Sequence, residues 1–202
     1  QAKTLFPYTT LFRSNLSLAF EVLDYALLSA PGAPLKQALL DAKIGKDIYG
    51  SFEDGIKQTY FSIVAKGANL SQKEEFVKVI RDTLTKIAEE GIDKKAVTAG
   101  INYYEFRFRE ADFSSYPKGL MYGLDILSSW LYDDTKPFCE VQLLEGFEFL
   151  KKALEEGYFE ELIRKYLLGN THGAILSLVP EKGLAAKRDK ELEEKLENYR
   201  KS

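Results

Sequence analysis

The chain contains one histidine, His172, and one cysteine, Cys139, in 202 residues, and that scarcity bounds the chemistry it can perform. A hydrolytic zinc centre built on one helix needs His-Glu-x-x-His or its inverse, His-x-x-Glu-His, and a single histidine cannot supply either. His172 follows Asn170-Thr171 at the start of a predicted strand. It reads as a hydrogen-bonded strand-edge residue rather than a ligand, since a zinc site takes three or four donors. Cys139 follows Pro137-Phe138 with no histidine beside it in sequence, and reads as a buried small hydrophobe rather than a nucleophile. Gly-x-Ser-x-Gly, the P-loop and the dinucleotide fingerprint are all absent. No catalytic, metal-ligating or substrate-binding residue is assigned from the sequence.

Two segments imitate sites and have simpler readings. Asn102-Tyr103-Tyr104-Glu105-Phe106-Arg107-Phe108-Arg109-Glu110 mixes aromatics with both charges. Its helical stripe predicts core packing, with Arg107, Arg109 and Glu110 solvated or paired. Asn69-Leu70-Ser71 matches a glycosylation sequon, but Ser71-Gln72-Lys73-Glu74 reads as a capping box, which gives Ser71 a structural role.

The elements around these residues alternate in type. Leu16, Phe20, Leu23, Leu27 and Leu28 recur at helical spacing over 15–30, and Pro31-Gly32-Ala33-Pro34 ends that helix before a shorter one over 35–42. Residues 47–52 and 58–66 predict a hairpin, with Glu53-Asp54-Gly55 as its turn. A long amphipathic helix carries Phe76, Val79, Ile80, Leu84 and Ile87 up to Gly91. Asp93 caps the next helix, with Val97, Ile101, Tyr104 and Phe108 as its stripe, and helices follow over 118–132, 140–156 and 158–168. Residues 173–179 predict a strand stopped by Pro180. From Leu184 onward a charged helix has only a Leu192, Leu196, Tyr199 seam, with Glu191/Lys195 and Glu197/Lys201 in the favourable i to i+4 order. The fold class predicted is α+β: an antiparallel sheet with helices packed on one face and a charged linker helix at the C-terminal end.

Net charge is -3, from interspersed rather than blocked charges, which disfavours nucleic acid, and no apolar run is long enough to span a bilayer. A single cysteine fits a reducing compartment, and the Lys, Glu and Ile usage fits a bacterial cytoplasmic protein.

Residues 4–14, Thr-Leu-Phe-Pro-Tyr-Thr-Thr-Leu-Phe-Arg-Ser, spell one reading frame of a widely used short-read sequencing adapter. Residues 1–14 are therefore set apart from the fold as adapter-derived. They are expected to pack poorly, the gene-derived chain is expected to begin near Asn15, and the domain is expected to be incomplete there. The organisation that follows is 1–14 adapter, 15–180 domain and 181–202 the start of a helical linker. Three strands are too few for the helices, so an uncovered helix-packing face is expected.

Taken together, Tyr104 to Leu120, Trp130-Leu131-Tyr132-Asp133, Asn170-Thr171-His172 before a strand ending at Pro180, and the loop Ala30-Pro31-Gly32-Ala33-Pro34-Leu35 resemble the second domain of the presequence protease family, a branch of the insulinase-like zinc peptidases. The resemblance covers essentially all of 15–202. It implies a parent enzyme of two halves, each made of two related α+β domains, closing like a clamshell on unstructured peptides and joined by a helical hairpin. It also implies that the His-x-x-Glu-His helix and zinc lie in the first domain, so no family ligand falls on any residue here. The function implied is a fragment of a zinc metalloendopeptidase that degrades short unstructured peptides, with this segment part of the non-catalytic chamber wall. Its partners would be such peptides and the remaining domains of the parent. The alternatives are a non-catalytic scaffold or peptide-binding protein of the same superfamily, or a free-standing helical interaction domain.

One histidine and one distant cysteine lead to a direct expectation: the purified chain holds no stoichiometric zinc and cleaves no unstructured peptide. Metal analysis after dialysis, with a fluorogenic peptide assay in the presence and absence of chelator, checks both. One tightly bound zinc per chain would overturn the reading.

Overall fold

The computed structural model describes residues 2–5, 14–54, 56, 58–111 and 113–201. A single helical rod organises it. Helix α1 (Ser14–Asp24) continues into a π-helical turn, Tyr25–Ser29, which closes with the Ala30 amide donating to the Tyr25 carbonyl at 2.7 Å. Leu18, Ala19, Phe20, Val22, Leu23, Ala26, Leu27 and Leu28 are all buried, so apolar residues point inward on several sides of the rod rather than along one stripe. A helix with that pattern belongs inside a layer of other elements. Pro34 opens α2 (Pro34–Asp41) at the first helical turn, where its missing N–H costs nothing.

The two strands of the hairpin form as expected, β2 (Asp47–Glu53) and β3 (Tyr60–Lys66), with Asp47 opposite Lys66 and Glu53 opposite Tyr60, while Gly55 of the expected turn lies outside the described residues. Alternation sends Ile48, Gly50, Phe52, Phe61, Ile63 and Ala65 to the inner face, against the helices, and Tyr49, Ser51, Ser62 and Val64 to the outer one. Phe20 stacks on Phe52 with ring centroids 5.4 Å apart and meets the edge of Tyr166 at 5.8 Å, joining the rod to the sheet and to the last helix of the core.

Helix α3 (Lys73–Glu90) crosses the inner face and stops at Gly91, whose φ of 98° favours glycine. Its cap differs from the expected one. The capping box pairs Asn69 with Gln72, and the Asn69 amide donates to Gln72 Oε1 at 3.1 Å. A 3₁₀ turn, Leu70–Gln72, precedes the helix and moves the cap two residues upstream of Ser71. Asp93 caps α4 (Lys94–Glu110) as expected, accepting from the amides of Lys95 at 2.9 Å and Ala96 at 3.4 Å. Helices α5 (Lys118–Trp130), α6 (Leu144–Ala153) and α7 (Tyr158–Leu162) follow, the last running into a π-helical segment Ile163–Leu168. α6 begins four residues later than the pattern predicts, because Cys139–Val141 forms a separate 3₁₀ turn. Strand β4 (Gly173–Ile175) covers only the first three residues of the predicted 173–179, and α8 (Leu184–Lys201) buries no residue.

The sheet departs further from expectation. It has four strands among the described residues, in the order β2-β3-β1-β4, and β1 is Ala2–Leu5, antiparallel to both neighbours. Residues 2–5, set aside in the sequence, thus hold an internal position, while 6–13 lie outside the described residues. An adapter origin and a ladder position are compatible, because ladder hydrogen bonds use the backbone that every residue carries.

Gly50 is where the rod and the sheet touch most closely. A Cβ there would lie 2.5 Å from the Ser62 carbonyl oxygen and would run into the end of Leu28. Gly50→Ala is expected to lower stability by about 1–3 kcal/mol, the usual range for overpacking, measured by urea denaturation. An unchanged midpoint would show that the rod can move away from β2.

Candidate functional site

The outer face of the sheet offers an open groove. Tyr49, Ser51, Ser62 and Val64 floor a groove of about 570 Å³, bounded by the start of α3 and by residues 176–180. The Ser51 and Ser62 hydroxyls lie 3.0 Å apart and Tyr49 is exposed, so the floor mixes hydroxyls with aliphatic surface. Such a surface can hold an extended chain of varied sequence by contact and hydrogen bonding. Among the described residues that line it there is no Asp, Glu or His to pair as acid and base for cutting one.

The residues singled out in the sequence do not converge. His172 is exposed just before β4, and its amide donates to Asn170 Oδ1 at 2.8 Å, a local turn that starts the strand. Cys139 stands at the start of its own 3₁₀ turn and is half-exposed, which corrects the expectation of a buried hydrophobe. The turn beside Pro137-Phe138 lies at the edge of the structure rather than in the core. Among the described residues no group of three or more His, Cys, Asp or Glu is placed to hold a metal ion, so the zinc implied by the resemblance has no fitting donor set here.

Two charged features escaped the sequence reading. Glu105 is buried on α4 and receives Arg109 at 2.6 Å and Lys151 of α6 at 2.7 Å, while Lys151 also reaches Glu148 at 2.9 Å. The Lys151 hydrogen bond, with that of Arg109, holds the Glu105 carboxyl below its ordinary range against the opposing effect of burial. This cluster ties α4 to α6 and is structural. The i to i+4 spacing of Glu105 and Arg109 was the available signal. Asp24, at the junction of α1 and the π turn, is the second. Its Oδ1 is buried without a hydrogen-bond partner among the described residues, and burial pushes the carboxyl up to about 6. Tyr104 lies close enough that burial first, then the charges of Glu21 and Asp24, raise its phenol as well.

Residues 5–104 match the model of the peptidase M16 inactive domain. The protein HypA of Clostridium perfringens is 46% identical over 185 residues, and presequence protease 1 of Arabidopsis thaliana, chloroplastic/mitochondrial, is 36% identical over 188. These alignments take in 92% and 91% of this chain but 19% and 17% of those proteins, so the chain spans less than a fifth of their length. The crystal structure of the inactive peptidase domain of a Bordetella parapertussis protein, described as a zinc protease, superposes with a TM-score of 0.66 at 11% identity. That match covers 89% of this chain and 91% of the other, and establishes a shared fold.

Asp24 gives a pH-dependent prediction. Its folded value of about 6 lies above the ordinary 3.8, so the folded state holds this proton more tightly than the unfolded state does. The benefit is complete below the ordinary value and is lost as pH rises toward about 6. Asp24→Asn should therefore raise stability at pH 7 by about 1–2 kcal/mol, allowing for the side chain's partial contact with water, and change little at pH 4. Thermal melts at the two pH values decide it. An equal effect at both would remove titration as the cause.

Proposed function

Because this chain belongs to the peptidase M16 family and matches its inactive domain, we propose that it is the non-catalytic second domain of a zinc metalloendopeptidase that degrades short unstructured peptides. The observation that carries the proposal is the likeness to presequence protease 1 along 91% of this chain, joined to a groove without catalytic groups among the described residues. In this reading 15–180 is the domain, 181–202 begins a helical linker, and 1–14 is adapter-derived. The outer face of the sheet forms part of the chamber wall. It contacts peptide without polarising or cleaving it, while zinc and its ligands belong to another domain of the parent. No site residue for catalysis or metal is assigned here, and the parent is placed in a bacterial cytoplasm.

The remaining domains are the second class of partner. α5 has Leu120, Leu124, Leu127 and Trp130 exposed, followed by Leu131 at 71% exposure, and buries only Ser129. Other domains of a longer chain would cover such a face.

A graft tests the reading. Residues 15–202 replace the segment of the Arabidopsis presequence protease 1 that aligns with them, and the purified chimera is assayed on an unstructured presequence peptide. Retention of kcat/KM within about tenfold of the parent, a loss of about 1.4 kcal/mol at most, is the expected outcome. A chimera that folds and binds zinc like its parent but cleaves nothing would sink the proposal.

A further inference from the structure

The outer groove carries charge of one sign, and at one end. Lys66 and Lys73 line it, and among the described residues it has no other charged side chain. Neither lysine makes an ion pair with a described residue. Asp47 stands opposite Lys66 in the ladder, but its carboxylate is turned to Lys36 of α2, at 4.0 Å. Glu74 and Glu75 follow Lys73 on α3 without lining the groove. Lys46 packs its stem against Gly67 of the groove lining, which brings a third lysine to that end.

The rest of the groove is graded toward those lysines. Strand alternation puts Ser62, Val64 and Lys66 on the outer face at every second position, which spaces them over about 13 Å. Ser51 joins Ser62 to make a hydroxyl end. Leu178 and Val179, 93% and 66% exposed, give aliphatic surface to the wall formed by 176–180. A ligand lying along β3 thus meets hydroxyls first, then aliphatic side chains, then ammonium groups. The complementary order is a short aliphatic segment that ends in negative charge.

We propose that the outer groove selects extended peptides by a carboxylate, carried on an acidic side chain or at a free C-terminus, which sits at Lys66 and Lys73 while aliphatic side chains lie along Val64 and Leu178. Lysines without a partner attract such a segment and repel one rich in Lys or Arg, so the same two side chains supply both the attraction and the discrimination. The inference rests on the reading of the outer face as a peptide-contacting wall. It adds which peptides that wall accepts.

The test titrates the full chain into fluorescent Ser-Val-Thr-Val-Glu-Glu-amide and Ser-Val-Thr-Val-Lys-Lys-amide and follows anisotropy. Expected is saturable binding of the acidic peptide, one per chain and at least about tenfold tighter than the basic one, which corresponds to about 1.4 kcal/mol. Added salt should narrow the gap. Ser-Val-Thr-Val-Ser-Ser with a free C-terminus, beside its amide, distinguishes the two carboxylate sources: tighter binding of the free acid assigns the terminal carboxylate, and equal binding of the two assigns the acidic side chain. Lys66→Glu/Lys73→Glu should reverse the preference. Equal binding of the acidic and basic peptides, tighter binding of the basic one, no binding, or a preference that survives the double reversal overturns the proposal. If the reversed chain does not fold, the decision passes to Lys66→Gln/Lys73→Gln, where loss of the preference supports the proposal and its persistence overturns it. The chimera keeps the two readings apart. An indifferent groove beside a chimera that still cleaves sinks this inference alone, and an inactive chimera sinks the peptidase reading whatever the groove binds.

Discussion

Everything else in the structure is arranged around the burial of the α1 rod, and the constraint that makes burial possible is space. Elements approach the rod where they carry glycine. Gly50 of β2 faces Leu28, Gly100 of α4 faces Tyr25 and Val22, and Gly146 of α6 faces Asn15 and Leu18. A methyl at Gly100 would lie 3.0 Å from the Tyr25 ring, and one at Gly146 would lie 2.9 Å from Asn15 Oδ1. Real Cβ atoms rarely tolerate either distance, so three surrounding elements are set at a separation that only a missing side chain allows. Close packing of this kind is where a core gains its last few kcal/mol and a single arrangement.

The polar contacts take their positions from that packing. Arg164 donates to the Ala88 carbonyl and Glu160 Oε1 accepts from the Ile92 amide at 2.9 Å, so α7 and the π-helical segment after it satisfy backbone groups at the end of α3 and just past the Gly91 turn. Glu105, Arg109 and Lys151 do the same between α4 and α6 with charges. Asp24 is the exception: packing of the rod against β2 puts its carboxyl where one oxygen has no partner among the described residues. Burial of the rod sets that carboxyl's environment, and hydrogen bonding does not compensate for it.

The helices were legible because helical spacing is local. Leu16 to Leu28, Phe76 to Ile87 and Val97 to Phe108 each show their faces within a few turns, and the hairpin showed itself through β-branched and aromatic residues on either side of a turn. What was not legible depends on partners distant in sequence. β4 is a strand only over the three residues that β1 reaches, so the apolar alternation up to Val179 overstated it. β1 has no sequence signal at all, since its ladder is made by backbone. The cap of α3 moved from Ser71 to Asn69 because Gln72 also donates to the Lys43 carbonyl at 3.2 Å, anchoring the 3₁₀ turn to the loop after α2. Cys139 was misjudged for the same reason, as its type favours burial while its turn falls at the periphery. The outer groove was invisible from sequence because it contains no motif, only the alternate residues of a hairpin and the chain that passes beside them.

The apolar surface left uncovered is the complement of this packing. α5 has the apolar stripe of a buried helix, yet Leu120, Leu124, Leu127 and Trp130 face outward, and α8 exposes Leu192, Leu196 and Tyr199 along one side. The rod cannot accept them: its contact faces are already taken by β2, α4 and α6, and the glycine approaches leave no room for another layer. Among the described residues nothing covers either surface. The two surfaces differ in shape and charge. α5 offers a wide, nearly uncharged face suited to a permanent domain contact. The narrow α8 seam, flanked by Lys and Glu on both sides, suits a single helix lying alongside it, with charge order setting the register.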